Sequence, residues 1–128
     1  MKHLVIIIIL IMLILPTVSI AEDGPLILRA EFCTKLDDRE PADTPESITV
    51  GQQTVYFFTE ILNGKDKSIS HRWYYNDINI ADVSLKIGAD HWRTWSTKQV
   101  WHLTPGALKV QVLDAAGEVL TEKEIAIQ

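Results

Sequence analysis

The stretch that decides the fold is HRWYYNDINIADVSLKIGADHWRTWS, His71 to Ser96. Ile69 to Tyr75 is rich in aromatic and β-branched residues, and Asn76-Asp77 after it suits the positive φ angles of a type I′ hairpin turn. The return segment, Ile78 to Ile87, alternates Val83, Leu85 and Ile87 with Ser84 and Lys86, which is the period of a half-buried strand. Gly88-Ala89-Asp90 turns the chain again into Trp92 to Val100. Period two puts His71, Trp73 and Tyr75 on one side and Arg72 and Tyr74 on the other. In the same way Trp92, Thr94 and Ser96 oppose Arg93, Trp95 and Thr97. One tryptophan of each strand can therefore enter a core, while an arginine and a second ring lie on the opposite face.

Reading outward, the same punctuation continues in both directions. Leu26 to Thr34 is expected as a strand with Leu28, Ala30 and Phe32 inward and Arg29 and Glu31 outward. Leu36 to Gly51 is acid-rich, holds Pro41 and Pro45, and reads as a surface connection, with residues 37–53 mostly loop and a short strand at Ile48 to Val50. Thr54 to Leu62 is a β-branched and aromatic strand closed by Asn63-Gly64-Lys65-Asp66. After Pro105-Gly106, Ala107 to Leu113 alternates Leu108, Val110 and Val112 with Lys109 and Gln111. Asp114 to Gly117 then turns the chain into Val119 to Ile127, with Ile125 and Ile127 inward. About seven short strands without room for crossover helices predict an all-β fold, an antiparallel immunoglobulin-like β-sandwich. A small closed barrel is the architectural rival.

The first 21 residues stand apart. Met1-Lys2-His3 is basic, Leu4 to Leu15 is an unbroken apolar run, and Ser19 and Ala21 supply small residues. That is the three-part pattern of a signal peptide, with cleavage expected after Ala21 and residues 22–128 forming one exported domain, periplasmic or extracellular. An uncleaved leader would instead act as an anchor, the one route to a membrane in this reading. Of the 12 Lys and Arg only Lys2 lies in the leader, so 11 basic side chains face 17 acidic ones in the remainder, a net charge of −6. Such a domain repels polyanions, which argues against nucleic acid and anionic lipid. The single cysteine, Cys33, leaves no internal disulfide and no cysteine-based metal site. It is expected as a free, buried thiol beside Phe57.

The block resembles a known family, the bacterial domain of unknown function 2914. The resemblance rests on His71-Arg72-Trp73-Tyr74-Tyr75 and Trp92-Arg93-Thr94-Trp95-Ser96. It is supported by Cys33, Arg39-Glu40-Pro41, Tyr56 to Glu60, Gly106 and Asp114 through Gly117-Glu118-Val119-Leu120. Two departures stand out. Relatives tend to carry a second cysteine where this chain has Phe57, and a tryptophan where it has Leu108. The resemblance implies a fold but no activity.

Two readings of the block remain open. In the structural one, Trp73 fills the middle of a sandwich, and Arg72 and Arg93 stack on Tyr74 and Trp95 or pair with carboxylates. In the functional one, Arg72, Tyr74, Arg93 and Trp95, on paired neighbouring strands, form a patch that stacks on a sugar ring or peptide, with His71 adding a hydrogen bond. The expected partner is then a cell-envelope glycan or an envelope protein, the latter also reachable through a sheet edge. A cell-envelope hydrolase is the alternative from another class. Ser96 could be drawn with His71, His91 or His102 as a triad, but it lacks the glycines of a nucleophile elbow. The histidines show no short chelating spacing. Glu31, Asp37, Asp38 and Glu40 read as a solvated acidic loop. The chain is expected to be a non-catalytic module with no cofactor, no metal and no catalytic residues.

Overall fold

The computed structural model describes residues 24–128; the expected leader and its cleavage point lie outside the described residues. Seven strands of eight or nine residues carry the fold: β1 (Leu26–Cys33), β5 (Thr54–Leu62), β6 (Ser68–Tyr75), β7 (Ile78–Lys86), β8 (His91–Gln99), β9 (Gly106–Leu113) and β10 (Val119–Ile127). Three two-residue strands, β2 (Leu36–Asp37), β3 (Glu40–Pro41) and β4 (Ser47–Ile48), decorate the acid-rich segment. The long strands form two sheets, one ordered β1-β5-β8 and the other β4-β10-β9-β6-β7. Chain crossings from β5 to β6, β7 to β8 and β8 to β9 alternate between them, the connectivity of an immunoglobulin-like sandwich. All long pairings are antiparallel; β4 alone runs parallel to β10, setting Ile48 opposite Ile127.

The expected hairpin is present: β6 and β7 pair through Asn76 and Asp77, with φ of 47° and 65°. A second tight turn of the same kind joins β2 to β3, where Asp38 and Arg39 take φ of 47° and 63°. Asparagine and aspartate tolerate that conformation; an arginine there is unusual.

Between the sheets lie Phe32, Val55, Phe57, Ile61, Ile69, Trp73, Val110 and Val112, among others. Trp73 is the largest fully buried side chain. Antibody domains set the corresponding tryptophan against an inter-sheet disulfide. Here Trp73 meets Phe32 and Phe57 edge-on, with ring centroids 6.1 and 6.3 Å apart. Burial of these apolar side chains, at about 1.5–3 kcal/mol each, is the main favourable term.

Two expectations about individual side chains fail. Leu28 does not face the core: a β-bulge after Ile27 makes it the extra residue of β1, so Ile27 packs inward and Leu28 is 46% exposed. Cys33 is free and fully buried, but not beside Phe57. Phe57 lies opposite Phe32 on the core face, whereas Cys33 lies opposite Tyr56 on the outer face. Residues 34–43 fold back there, held by Thr34 N–H to Asp43 Oδ1 at 2.8 Å and Ala42 N–H to the Lys35 carbonyl at 2.9 Å. Burial first, and the nearby Asp43 charge second, push the Cys33 thiol up to about 11.

Candidate functional site

The two motif strands are not neighbours. β6 belongs to the five-stranded sheet and β8 to the three-stranded one, so they face each other across the core. The expectation that Arg72, Tyr74, Arg93 and Trp95 form one patch is therefore corrected. Their inward partners meet in the middle, which sends the outward residues of each strand to opposite sides of the molecule.

What meets in the middle is polar. Trp73 Nε1 donates to Ser96 Oγ at 2.9 Å, and Ser96 Oγ lies 2.6 Å from His71 Nδ1. His71 Nε2 is 3.2 Å from Thr59 Oγ1, which donates to the Thr94 carbonyl at 3.0 Å. One arrangement of protons satisfies the whole chain. Ser96 donates to Nδ1, and His71 carries its proton on Nε2 and donates to Thr59. Burial holds the His71 pKa down, to about 3, so the ring is neutral. The Ser–His pair considered from the sequence does form. Its second nitrogen meets a threonine in place of a carboxylate, and Ser96 is only 5% exposed, so no substrate reaches it. His71 cannot contribute to a surface ligand.

On the outer face of the five-stranded sheet, Arg72 and Tyr74 are tied into cross-strand pairs. Arg72 Nε donates to Asp82 Oδ1 at 2.8 Å. Tyr74 donates to Gln111 Oε1 at 3.1 Å, and its ring is covered by Lys109, with Nζ 4.8 Å from the centroid. Arg72 and Tyr74 are thus each matched by a neighbour on the next strand, as on an ordinary solvated sheet face.

The outer face of the three-stranded sheet is different. Register sets Arg29, Glu60 and Arg93 in one row across β1, β5 and β8. Arg29 Nε donates to Glu60 Oε1 at 2.7 Å, and its Nη2 grips both oxygens of Glu40 at 2.9 and 2.8 Å. Arg93 lies 3.1 Å from Glu40 Oε1 and 3.6 Å from Glu60 Oε2, and His91 Nε2 is 2.7 Å from that same Glu60 oxygen. Arg29 first and His91 second hold the Glu60 carboxyl down to about 2. Glu40 is thus an ion-pair partner and not merely part of a solvated loop.

Above this row the β2–β3 turn delivers Arg39. Its Nη2 donates to the backbone carbonyl of Arg93 at 3.1 Å, on the edge strand of the sheet. Its guanidinium carbon stands 5.5 Å from the Trp92 ring centroid and 5.8 Å from that of Trp95. So it is Arg39, not Arg93, that covers Trp95. A shallow depression lined by Arg39, Ala89, His91, Trp92 and Arg93 opens beside it. Sequence reading placed Arg93 and Trp95 on an outer face but missed Arg39, Glu60 and His91 as their neighbours. The Arg39-Glu40-Pro41 run and the unusual arginine in a two-residue turn were the available signals. Among the described residues no group of three or more His, Cys, Asp or Glu is placed to hold a metal.

The fold and this site define the class: an immunoglobulin-like β-sandwich domain in which Arg39 reaches both Trp95 on an outer face and Trp92, which packs against the core from the same edge strand. Residues 66–127, β6 to β10, match the family described as "Protein of unknown function (DUF2914)". No curated protein matches the chain. Solved structures similar to it include the crystal structure of a CARDB domain from Pyrococcus furiosus in complex with di-metal ions. That domain is 12% identical, with 80% of this chain and 93% of that chain covered and a TM-score of 0.44. A solution structure of the same domain aligns at 13% identity, 82% and 96% coverage and a TM-score of 0.41. A superoxide reductase (neelaredoxin) from Ignicoccus hospitalis aligns at 15% identity, 83% and 81% coverage and a TM-score of 0.40. Likenesses this distant bear on neither ligand nor chemistry.

Proposed function

We propose that the chain is an exported, non-catalytic β-sandwich module that binds a cell-envelope glycan on the outer face of β1, β5 and β8. The observation that carries this reading is Arg39, exposed and laid over Trp92 and Trp95 beside His91 and Arg93. Aromatic faces stack on the apolar face of a pyranose, and fixed guanidinium donors reach its oxygens. The leader pattern of residues 1–21 supports export. Burial of the Ser96–His71 pair supports binding over hydrolysis.

A protein contact through a sheet edge is the second reading, favoured by Ile78 and Ile80, exposed at 67% and 37% on the edge strand β7. The test is calorimetric titration of the protein, purified from the envelope of cells expressing the full chain, with soluble peptidoglycan fragments and neutral glycans. Saturable heat with a glycan supports the first reading. No heat with any glycan, together with envelope proteins cross-linked through β7, supports the second.

A further inference from the structure

Resting on that glycan-binding reading, we infer that the ligand is a carboxylate-bearing sugar and that Arg39 is the residue that anchors its carboxylate. Arg29 and Arg93 are both engaged by Glu40 and Glu60, two cations against two anions. Arg39 is the third guanidinium, and no carboxylate among the described residues lies within ion-pair distance of it. Its hydrogen bond goes to a neutral carbonyl, that of Arg93. Asp37 and Asp38, its neighbours in the hairpin, do not pair with it.

This cation is also pre-positioned. The turn holds Arg39 at a φ of 63°, a conformation that disfavours side chains other than asparagine and aspartate. Contact with two indole rings fixes the guanidinium plane, while the Arg93 carbonyl takes one of its five N–H donors. Among the described residues the remaining donors meet no protein acceptor, and a planar fork of that kind matches a carboxylate. Among the described residues Arg39 is the one guanidinium of this face without a carboxylate partner, and its single positive charge suits a monoanion better than a dianionic phosphate. Trp92 and Trp95 are only half-buried, and the parts of the indoles that Arg39 leaves uncovered border this fork.

The experiment compares three disaccharides by calorimetric titration of the full chain. They are N-acetylglucosaminyl-N-acetylmuramic acid with its lactyl carboxylate free, the methyl ester of that carboxylate, and chitobiose, which lacks the lactyl group. Each is measured on the parent protein and on Arg39→Asn, a variant whose side chain tolerates the left-handed backbone; Arg39→Gly is the second variant. The expected result is about tenfold tighter binding of the free acid than of the ester, weakening with salt, in the parent protein. In both Arg39 variants that preference falls to within a factor of two while the melting temperature is unchanged. Equal affinity for acid, ester and chitobiose would overturn the carboxylate inference and leave the glycan reading standing. A preference that survives both substitutions would overturn Arg39 as the anchor. If none of the three sugars binds the parent protein, both the inference and the glycan reading fall.

Discussion

His71 on β6 and Ser96 on β8 meet 2.6 Å apart across the two sheets, each sealed from solvent. With Trp73 and Thr59 they form a hydrogen-bonded chain inside an otherwise apolar core. Apolar contacts tolerate sliding; directional bonds of this kind fix how one sheet sits on the other. The paired motifs are thus first a device for registering the sandwich.

The neutral His71 makes stability pH-dependent. Its folded pKa of about 3 lies below the ordinary value of 6.5, so the unfolded chain takes the proton first. The stabilisation is complete above pH 6.5 and is lost as pH falls from 6.5 toward 3, at up to about 1.4 kcal/mol per pH unit. Glu60, held at about 2 against an ordinary 4.5, acts in the same direction below pH 4.5. Urea midpoints at pH 7.5 and 5.0 should therefore differ in the parent protein. The difference should shrink in His71→Gln, whose amide can accept from Ser96 and donate to Thr59 without titrating. Identical midpoints in the parent would mean His71 is not held neutral.

Trp73→Ala removes the largest buried side chain and leaves Ser96 without its indole donor. The cavity alone should cost about 3–5 kcal/mol, against a total of about 5–10 for a domain of this size. Thermal melting should show a variant at the edge of unfolding at 37 °C. A melting temperature within a few degrees of the parent would contradict the core position.

Cys33, buried on the outer face with a pKa of about 11, should label slowly. A thiol reagent at pH 8 should modify it at least tenfold more slowly in native protein than in urea. Rapid native labelling would mean that residues 34–43 do not cover it.

Gly106 is required by close approach. A Cβ there would stand 2.4 Å from Asn76 Oδ1, the atom that accepts from the Ala107 N–H, and 2.9 Å from Tyr75. Gly106→Ala should displace the β6–β7 turn and lower stability by about 1–3 kcal/mol, read from urea midpoints. An unchanged midpoint would show that Asn76 repacks freely.

Most of the fold was legible because alternation is a local signal. Val83, Leu85, Val110 and Ile125 announce their faces within their own strands. Leu28 was misread because a bulge leaves no mark in the pattern, and Cys33 because burial on an outer face needs a cover that only tertiary structure supplies. The site was legible by parity but not by sheet. Arg72 and Arg93 look equivalent in sequence, and nothing local says that β6 and β8 face each other instead of pairing. Arg39 was hidden in a segment whose acidic composition suggested a solvated loop. Its neighbour Glu40 is held there by Arg29, a partner contributed by β1.

The most direct measurement is the change in affinity for the muramic-acid disaccharide when each outer face is cut separately. Trp95→Ala should weaken binding by about 1–2 kcal/mol, roughly tenfold, while the melting temperature holds. Arg72→Ala and Tyr74→Ala, on the opposite face, should leave affinity within a factor of two. Loss of binding in Arg72→Ala or Tyr74→Ala, with Trp95→Ala unaffected, would place the ligand on the five-stranded sheet and contradict the site.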